Sequence, residues 1–307
     1  MGNIFDFLGS IVGYLLWFFF DAVSNYALAI FLLIFVLNLL VLPSVIKRQK
    51  LMSKSARVSQ KQQELRKKYE KDQKKYNEEL AKLYEQEGNP MSGCLVSMLL
   101  PLLIFSGVWF AVTNPLKNTL HIPAEKITTA VEFLKNDPSA PDSLKNNCNE
   151  LQIIRHFPEV KEKLTMFNEE ELADIEEYSS GFNFCGINLL NNPNESDFKD
   201  MLWIIPALSL VLSILMSLLQ LKLNSETQTQ TMGCMKFTPF VLPLFISCQA
   251  YFLPGAIGFY WALNSLISGV QIIFLNKFYS AKKVSAKEEA ARLALLELNE
   301  SSVKKIK

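Results

Sequence analysis

The chain has 307 residues, 50% of them hydrophobic, a mean hydropathy of +0.16 and a formal net charge of +1. These values are high for a soluble protein and too low for a bundle made only of membrane helices. Neither class describes the whole chain, and the apolar residues must be gathered into stretches.

The first apolar run, residues 7–20, lies between Asp6 and Asp21. It falls short of the roughly 20 residues that cross a bilayer core about 30 Å thick, and it lacks the basic flank of a signal peptide. It is expected to lie along the outer interface, with Trp17 and its Phe neighbours at headgroup depth. An uncleaved signal anchor is the other reading, and it conflicts with the crossing that follows almost at once. Residues 26–46 carry no charge and form that first span, which ends at Pro43 and then Lys47-Arg48. Residues 47–90 hold thirteen Lys or Arg against seven Asp or Glu, and they end at Gly88-Asn89-Pro90. Leu65 and Tyr69, then Tyr76, Leu80 and Leu83, are spaced as narrow apolar stripes on two helices, with Asp72 placed to cap the second. These predict an antiparallel hairpin in water; a solvated charged hairpin with no special partner is the plainer reading.

Residues 91–114 form a second uncharged span, interrupted by Pro101 and closed by Asn114-Pro115. Residues 115–200 carry eight basic against sixteen acidic residues and read as short helices and loops, broken at Pro138 and Pro141, in a small cap domain. Residues 201–221 are the third span, and residues 222–236 form a Thr/Gln-rich loop. From 237 to 276 there is no charged residue, and Pro254-Gly255 sits just past the midpoint. That stretch is too long for one globular helix and reads as two crossings, 237–254 and 255–276, joined by a tight turn. A basic tail, 277–307, follows with eight basic against four acidic residues. Basic flanks stay in the cytoplasm. The hairpin and tail are therefore inside and 115–200 outside, which five crossings satisfy with the N-terminus outside and the C-terminus cytoplasmic. The expected fold class is an all-α polytopic membrane protein.

The cysteines and histidines show no metal-ligand spacing. Cys148 and Cys185 share the outer region and are either a disulfide or two free thiols. The spans hold no Asp, Glu, Lys or Arg, which argues against an ion-coupled transporter. They do hold neutral polar groups, among them Asn38, Ser106, Gln220, Asn264, Ser265 and Gln271. An amide without a partner in hydrocarbon costs about 2–7 kcal/mol, so these groups face one another or water. Two readings follow: interhelical bonds that only hold the bundle, each worth roughly 0.6–2 kcal/mol, or a wetted groove.

Several motifs occur in order: Asn25-Tyr26-Ala27-Leu28-Ala29-Ile30, Leu42-Pro43, the basic hairpin, the block Tyr84 to Cys94, Leu253-Pro254-Gly255-Ala256, and Phe259-Tyr260-Trp261-Ala262-Leu263-Asn264-Ser265. Over residues 10–114 and 188–280 the chain resembles the YidC-type membrane insertases of the Oxa superfamily; residues 120–185 lie outside the resemblance. The resemblance implies a bacterial plasma-membrane protein that inserts small membrane proteins without nucleotide or other cofactor and without covalent chemistry, through a polar groove open to cytoplasm and lipid. It implies nascent membrane proteins as clients, with the ribosome, targeting factors, the Sec translocon and anionic lipids as partners, and no DNA. The groove set is Asn38, Ser106, Gln220, Tyr260, Trp261, Asn264 and Ser265; Lys47, Arg48, Lys67, Lys68, Lys282 and Lys283 are candidates for ribosome or lipid contact. The family commonly has Arg where this chain has Asn38, and more polar residues near Val96 and Leu100. A membrane-embedded chaperone or scaffold, and a transporter or channel, are the rival readings.

Overall fold

The computed structural model describes residues 4–70, 72–87, 94–196, 200–223 and 238–280, and within 283–298 all but 285, 288, 289 and 292. Lys282, the Gly88-Asn89-Pro90 stop, Cys234 and most of the 222–236 loop fall outside these residues.

Helix α1 runs from Ile4 to Val23 and α2 from Tyr26 to Lys68. The first span was expected to end at Pro43, yet Pro43 lies inside one continuous helix of 43 residues. A proline removes one helical hydrogen bond, but a chain end in hydrocarbon would leave several backbone groups unpaired. Continuing the helix costs less. Helix α3, Gln73–Glu87, forms the second arm of the hairpin. Its start is capped as the sequence suggests, the Lys75 N–H donating to Asp72 Oδ1 at 3.2 Å. Gln62 Nε2 donates to the Tyr76 hydroxyl at 3.2 Å and joins the arms, while Leu83 is buried in the stripe it was expected to form.

Helix α4, Cys94–Thr113, leads into α5, Pro115–Asn118. Helices α6 (Ala124–Asn136), α7 (Asp142–Asn147), α8 (Glu150–Arg155), α9 (Phe157–Val160) and α10 (Glu169–Ser180) build the insertion. A hairpin of β1 (Asn183–Phe184) and β2 (Ile187–Asn188) closes it, turning through positive φ at Cys185 and Gly186. Leu134, Leu144, Ile153, Ile154, Val160 and Ile175 meet in its core with no exposed surface. Asn168 and Glu171 form a capping box on α10. Cys148, buried, and Cys185, exposed, are both free thiols, which settles the two alternatives. Glu150 is buried and accepts the Lys117 N–H at 3.0 Å. Burial pushes its carboxyl up to about 7, against the opposing pull of that bond.

Helices α11 (Ile204–Leu223), α12 (Thr238–Phe252) and α13 (Gly255–Tyr279) complete the chain. Helix starts leave backbone N–H groups unpaired, and the end of the insertion supplies acceptors to two of them. Tyr26 donates to the Gly181 carbonyl at 2.9 Å, Gly255 to Asn191 at 2.9 Å and Ala256 to Leu189 at 2.7 Å.

By length and composition Asp6–Val23, Tyr26–Leu51, Met201–Leu223 and Gly255–Tyr279 can each cross a membrane, and Leu103–Thr113 is a shorter apolar helix. Contacts tie α1 at both of its ends. Asp6 pairs with Lys117 at 3.0 Å, just past the end of α4, and Ser10 Oγ donates to Asn118 Oδ1 at 3.1 Å. A Cβ on Gly13 would overlap the Asn118 carbonyl. Phe20 meets Tyr178 edge-on at 4.9 Å, and α2 begins three residues beyond Val23. One end of α1 is thus held where α4 ends, and the other beside Tyr178, next to the start of α2. Leu16 and Phe20 face inward with no exposed surface, while Ile4, Phe7, Ile11, Tyr14 and Phe18 form the exposed apolar side.

The chain divides into two compact units. One comprises residues 1–40, 101–219 and 232–269; the other comprises 41–100, 220–231 and 270–307.

Candidate functional site: an aromatic and amide face on helix α13

Helix α13 meets α11 through small residues. A Cβ on Gly255 would come within 2.9 Å of Leu202, and one on Gly258 within 2.8 Å of Ile205. Two turns of each helix further, Ser213 and Ser265 share a hydrogen bond of 3.0 Å. This is close packing of the kind small residues permit between membrane helices. It spends the Ser265 hydroxyl on the seam.

On its other side α13 meets α4 through aromatic rings. Trp261 stacks on Trp109 with centroids 5.9 Å apart and planes 14° apart. Tyr260 lies 6.3 Å from Phe105, which is itself stacked on Trp109 at 6.4 Å. Stacked rings contribute about 0.5–1.5 kcal/mol beyond their buried area. Trp261 is only 6% exposed, and its indole N–H has no hydrogen-bond partner among the described residues. Asn264, one turn on, is half-buried, and its amide likewise bonds to no described residue.

The remaining candidates are not gathered here. Asn38 is half-buried and its Nδ2 donates to the Ile34 carbonyl of its own helix at 2.8 Å, which leaves Oδ1 and one N–H unspent. Ser106 Oγ turns back to the Leu103 carbonyl at 2.8 Å. Gln220 is exposed and belongs to the other unit. The side chains of Val96 and Leu100 lie outside the described residues. Of the basic candidates, Lys47, Lys67, Lys68 and Lys283 are exposed and Arg48 is half-buried. Trp109 and Phe105 were not singled out from the sequence. Their signal was present, an aromatic pair four residues apart flanking Ser106, but in an uncharged span any aromatic pair reads equally well as lipid-facing surface.

The chain is a multi-pass membrane protein. The model of the family described as 60Kd inner membrane protein matches residues 18–283. The chain is similar to the "Membrane protein insertase YidC" of Zymomonas mobilis subsp. mobilis, 31% identical over 132 residues, or 43% of this chain and 21% of that protein. It is also similar to the protein of the same name from Endomicrobium trichonymphae, 32% identical over 113 residues, or 36% of this chain and 22% of that protein. The matched segments thus span about a fifth of the length of these relatives. No solved structure matches significantly. A match running from within α1 to beyond the end of α13, across every apolar helix described above, means that the chain belongs to the 60Kd inner membrane protein family.

Proposed function

We propose that the chain is a membrane protein insertase, carrying small membrane proteins from the cytoplasm into the bilayer along a polar face of its spans. The observation that carries this reading is the Trp261 indole N–H, buried in a membrane-crossing helix and matched to no acceptor among the described residues. A buried donor left unpaired costs about 1–3 kcal/mol, and a client's peptide carbonyl passing it recovers that cost. Stacking on Trp109 holds the ring in place for this.

In this reading the client's polar segment moves past Trp261, Tyr260, Asn264 and Ser106, with Asn38 offering its free Oδ1. Ser265 acts from the seam by fixing α13 against α11. Each amide or hydroxyl that replaces part of the client's lost water lowers the crossing barrier. The client's apolar helix then enters lipid, a gain of about 25 cal/mol per Å² buried. No covalent step is required, so the protein is not an enzyme, and no nucleotide enters. Asn38 in place of a cation attracts acidic client tails less. The protein sits in the bacterial plasma membrane with its N-terminus outside and its C-terminus cytoplasmic. Lys67 and Lys68 on the hairpin, with Lys282 and Lys283 beyond α13, meet ribosomal RNA or targeting factors; the Sec translocon shares larger clients. The names of the two relatives support the reading.

The test is reconstitution of the purified chain in liposomes with a small single-span reporter. Trp261→Phe keeps a stacking ring and removes the N–H; insertion is expected to fall several-fold, while Trp109→Phe stays near wild type. Wild-type insertion by Trp261→Phe would remove the donor from the mechanism. No gain by the wild-type chain over empty liposomes would sink the insertase reading in favour of a chaperone or scaffold.

A further inference from the structure

The last turns of α13 carry an exposed apolar stripe, Val270, Phe274 and Phe278 at i, i+4 and i+8, with fractional exposures of 63%, 39% and 55%. The rings of Phe274 and Phe278 lie 4.9 Å apart. Where this stripe stops, cations begin. Lys277 is exposed, with its Nζ 5.7 Å from the Phe278 ring. Lys50, an exposed residue of α2, holds its Nζ 5.5 Å from the centre of the Tyr279 ring. Lys283 Nζ donates to the Lys277 carbonyl at 2.6 Å. Among the described residues, no carboxylate forms an ion pair with Lys50, Lys277 or Lys283.

We propose that this surface binds an anionic phospholipid, its acyl chains along Val270, Phe274 and Phe278 and its headgroup phosphate met by Lys50 and Lys277. Cations gathered without carboxylates repel one another, and an anion relieves that repulsion. Snorkelling lysines beside aromatic rings mark the depth at which headgroups lie. Nucleic acid would satisfy the charges alone. It has nothing to place against an exposed Phe274–Phe278 pair within one turn of them. The ring of Tyr279 holds Lys50 beside α13, so that two helices supply cations at the depth of the headgroups. The site stands whether or not the chain inserts clients, because it needs only that α13 crosses the membrane.

The experiment is native mass spectrometry on the full chain in detergent, titrated with phosphatidylglycerol or phosphatidylcholine of the same acyl composition. Phosphatidylglycerol is expected to stay bound preferentially. The preference should fall roughly fivefold for each charge removed in Lys50→Gln/Lys277→Gln, return in Lys50→Arg/Lys277→Arg, and survive Lys67→Gln/Lys68→Gln on the hairpin. An unchanged preference in the Gln double variant, or an equal loss in the hairpin variant, overturns the site. Loss of ribosomal RNA binding with phosphatidylglycerol retained assigns the surface to RNA and overturns it as well. Selective lipid binding by a chain that inserts no reporter would sink the insertase reading alone.

Discussion

Between residues 115 and 196 the chain hides its apolar side chains and pairs its charges. Leu134, Leu144 and Ile153 are wholly buried, Lys126 meets Glu171 at 2.8 Å, and Lys163 meets Asp137 at 2.7 Å. In the spans the same side-chain types turn outward, with Leu40 69% exposed, Val211 61% and Val270 63%. Polar groups there turn inward to their own helix: Asn38 to Ile34, Thr113 to Trp109, Ser217 to Ser213. The two regions obey one physical rule under two solvents. Water expels apolar surface and solvates charge; lipid accepts apolar surface and offers nothing to an N–H or an O–H.

The contrast can be broken most forcefully with one substitution made twice. Leu134→Ala in the insertion is expected to cost about 2–5 kcal/mol, whereas Leu40→Ala should stay within about 0.5 kcal/mol; denaturant unfolding of the detergent-solubilised chain compares them, and equal losses would mean that Leu40 is packed. A titration sharpens it next. The folded Glu150 carboxyl sits at about 7 against an ordinary 4.5. Its protonated form is therefore favoured by folding: the contribution is full below the lower value and is lost as pH rises through the higher one. Stability on the order of 3 kcal/mol should disappear over that window. Glu150→Gln, which keeps an acceptor for the Lys117 N–H, should flatten the dependence, read as hydrogen exchange at residues 116–118 against pH. Gly13→Ala comes third: its Cβ meets the Asn118 carbonyl, and overpacking of this kind costs about 1–3 kcal/mol. Cysteine labelling at Leu16→Cys, a position with no exposed surface, should then rise as α1 lifts, and unchanged labelling would mean the seat is softer than its geometry. Asn38→Leu should have the smallest effect on folding, since its amide only bonds within α2, while still lowering reporter insertion; normal insertion would leave Asn38 as helix glue.

Most of the architecture was legible in charge and hydropathy. Charge-free stretches predict the helices α2, α4, α11, α12 and α13, and the break at Pro254-Gly255 falls between Phe252 and Gly255 in the structure. Pro43 misled, because the rule that proline ends a helix is learned in water, where a freed carbonyl finds a partner. The compact core of the insertion was hidden for another reason. Leu116, Ile127, Phe157 and Tyr178 meet from distant segments, and no local period announces such contacts. The face on α13 was half legible: Tyr260, Trp261, Asn264 and Ser265 came from a motif, but which of them meets α4 and which meets α11 depends on helix rotation, which Gly255 and Gly258 settle through close approach.

The short segment from Gly181 to Asn191 grips the starting turns of two crossing helices at once, taking the N–H of Tyr26 on one side and those of Gly255 and Ala256 on the other. The two starts are thereby held to one short piece of backbone, so neither helix can slide along its own axis without breaking a hydrogen bond to it.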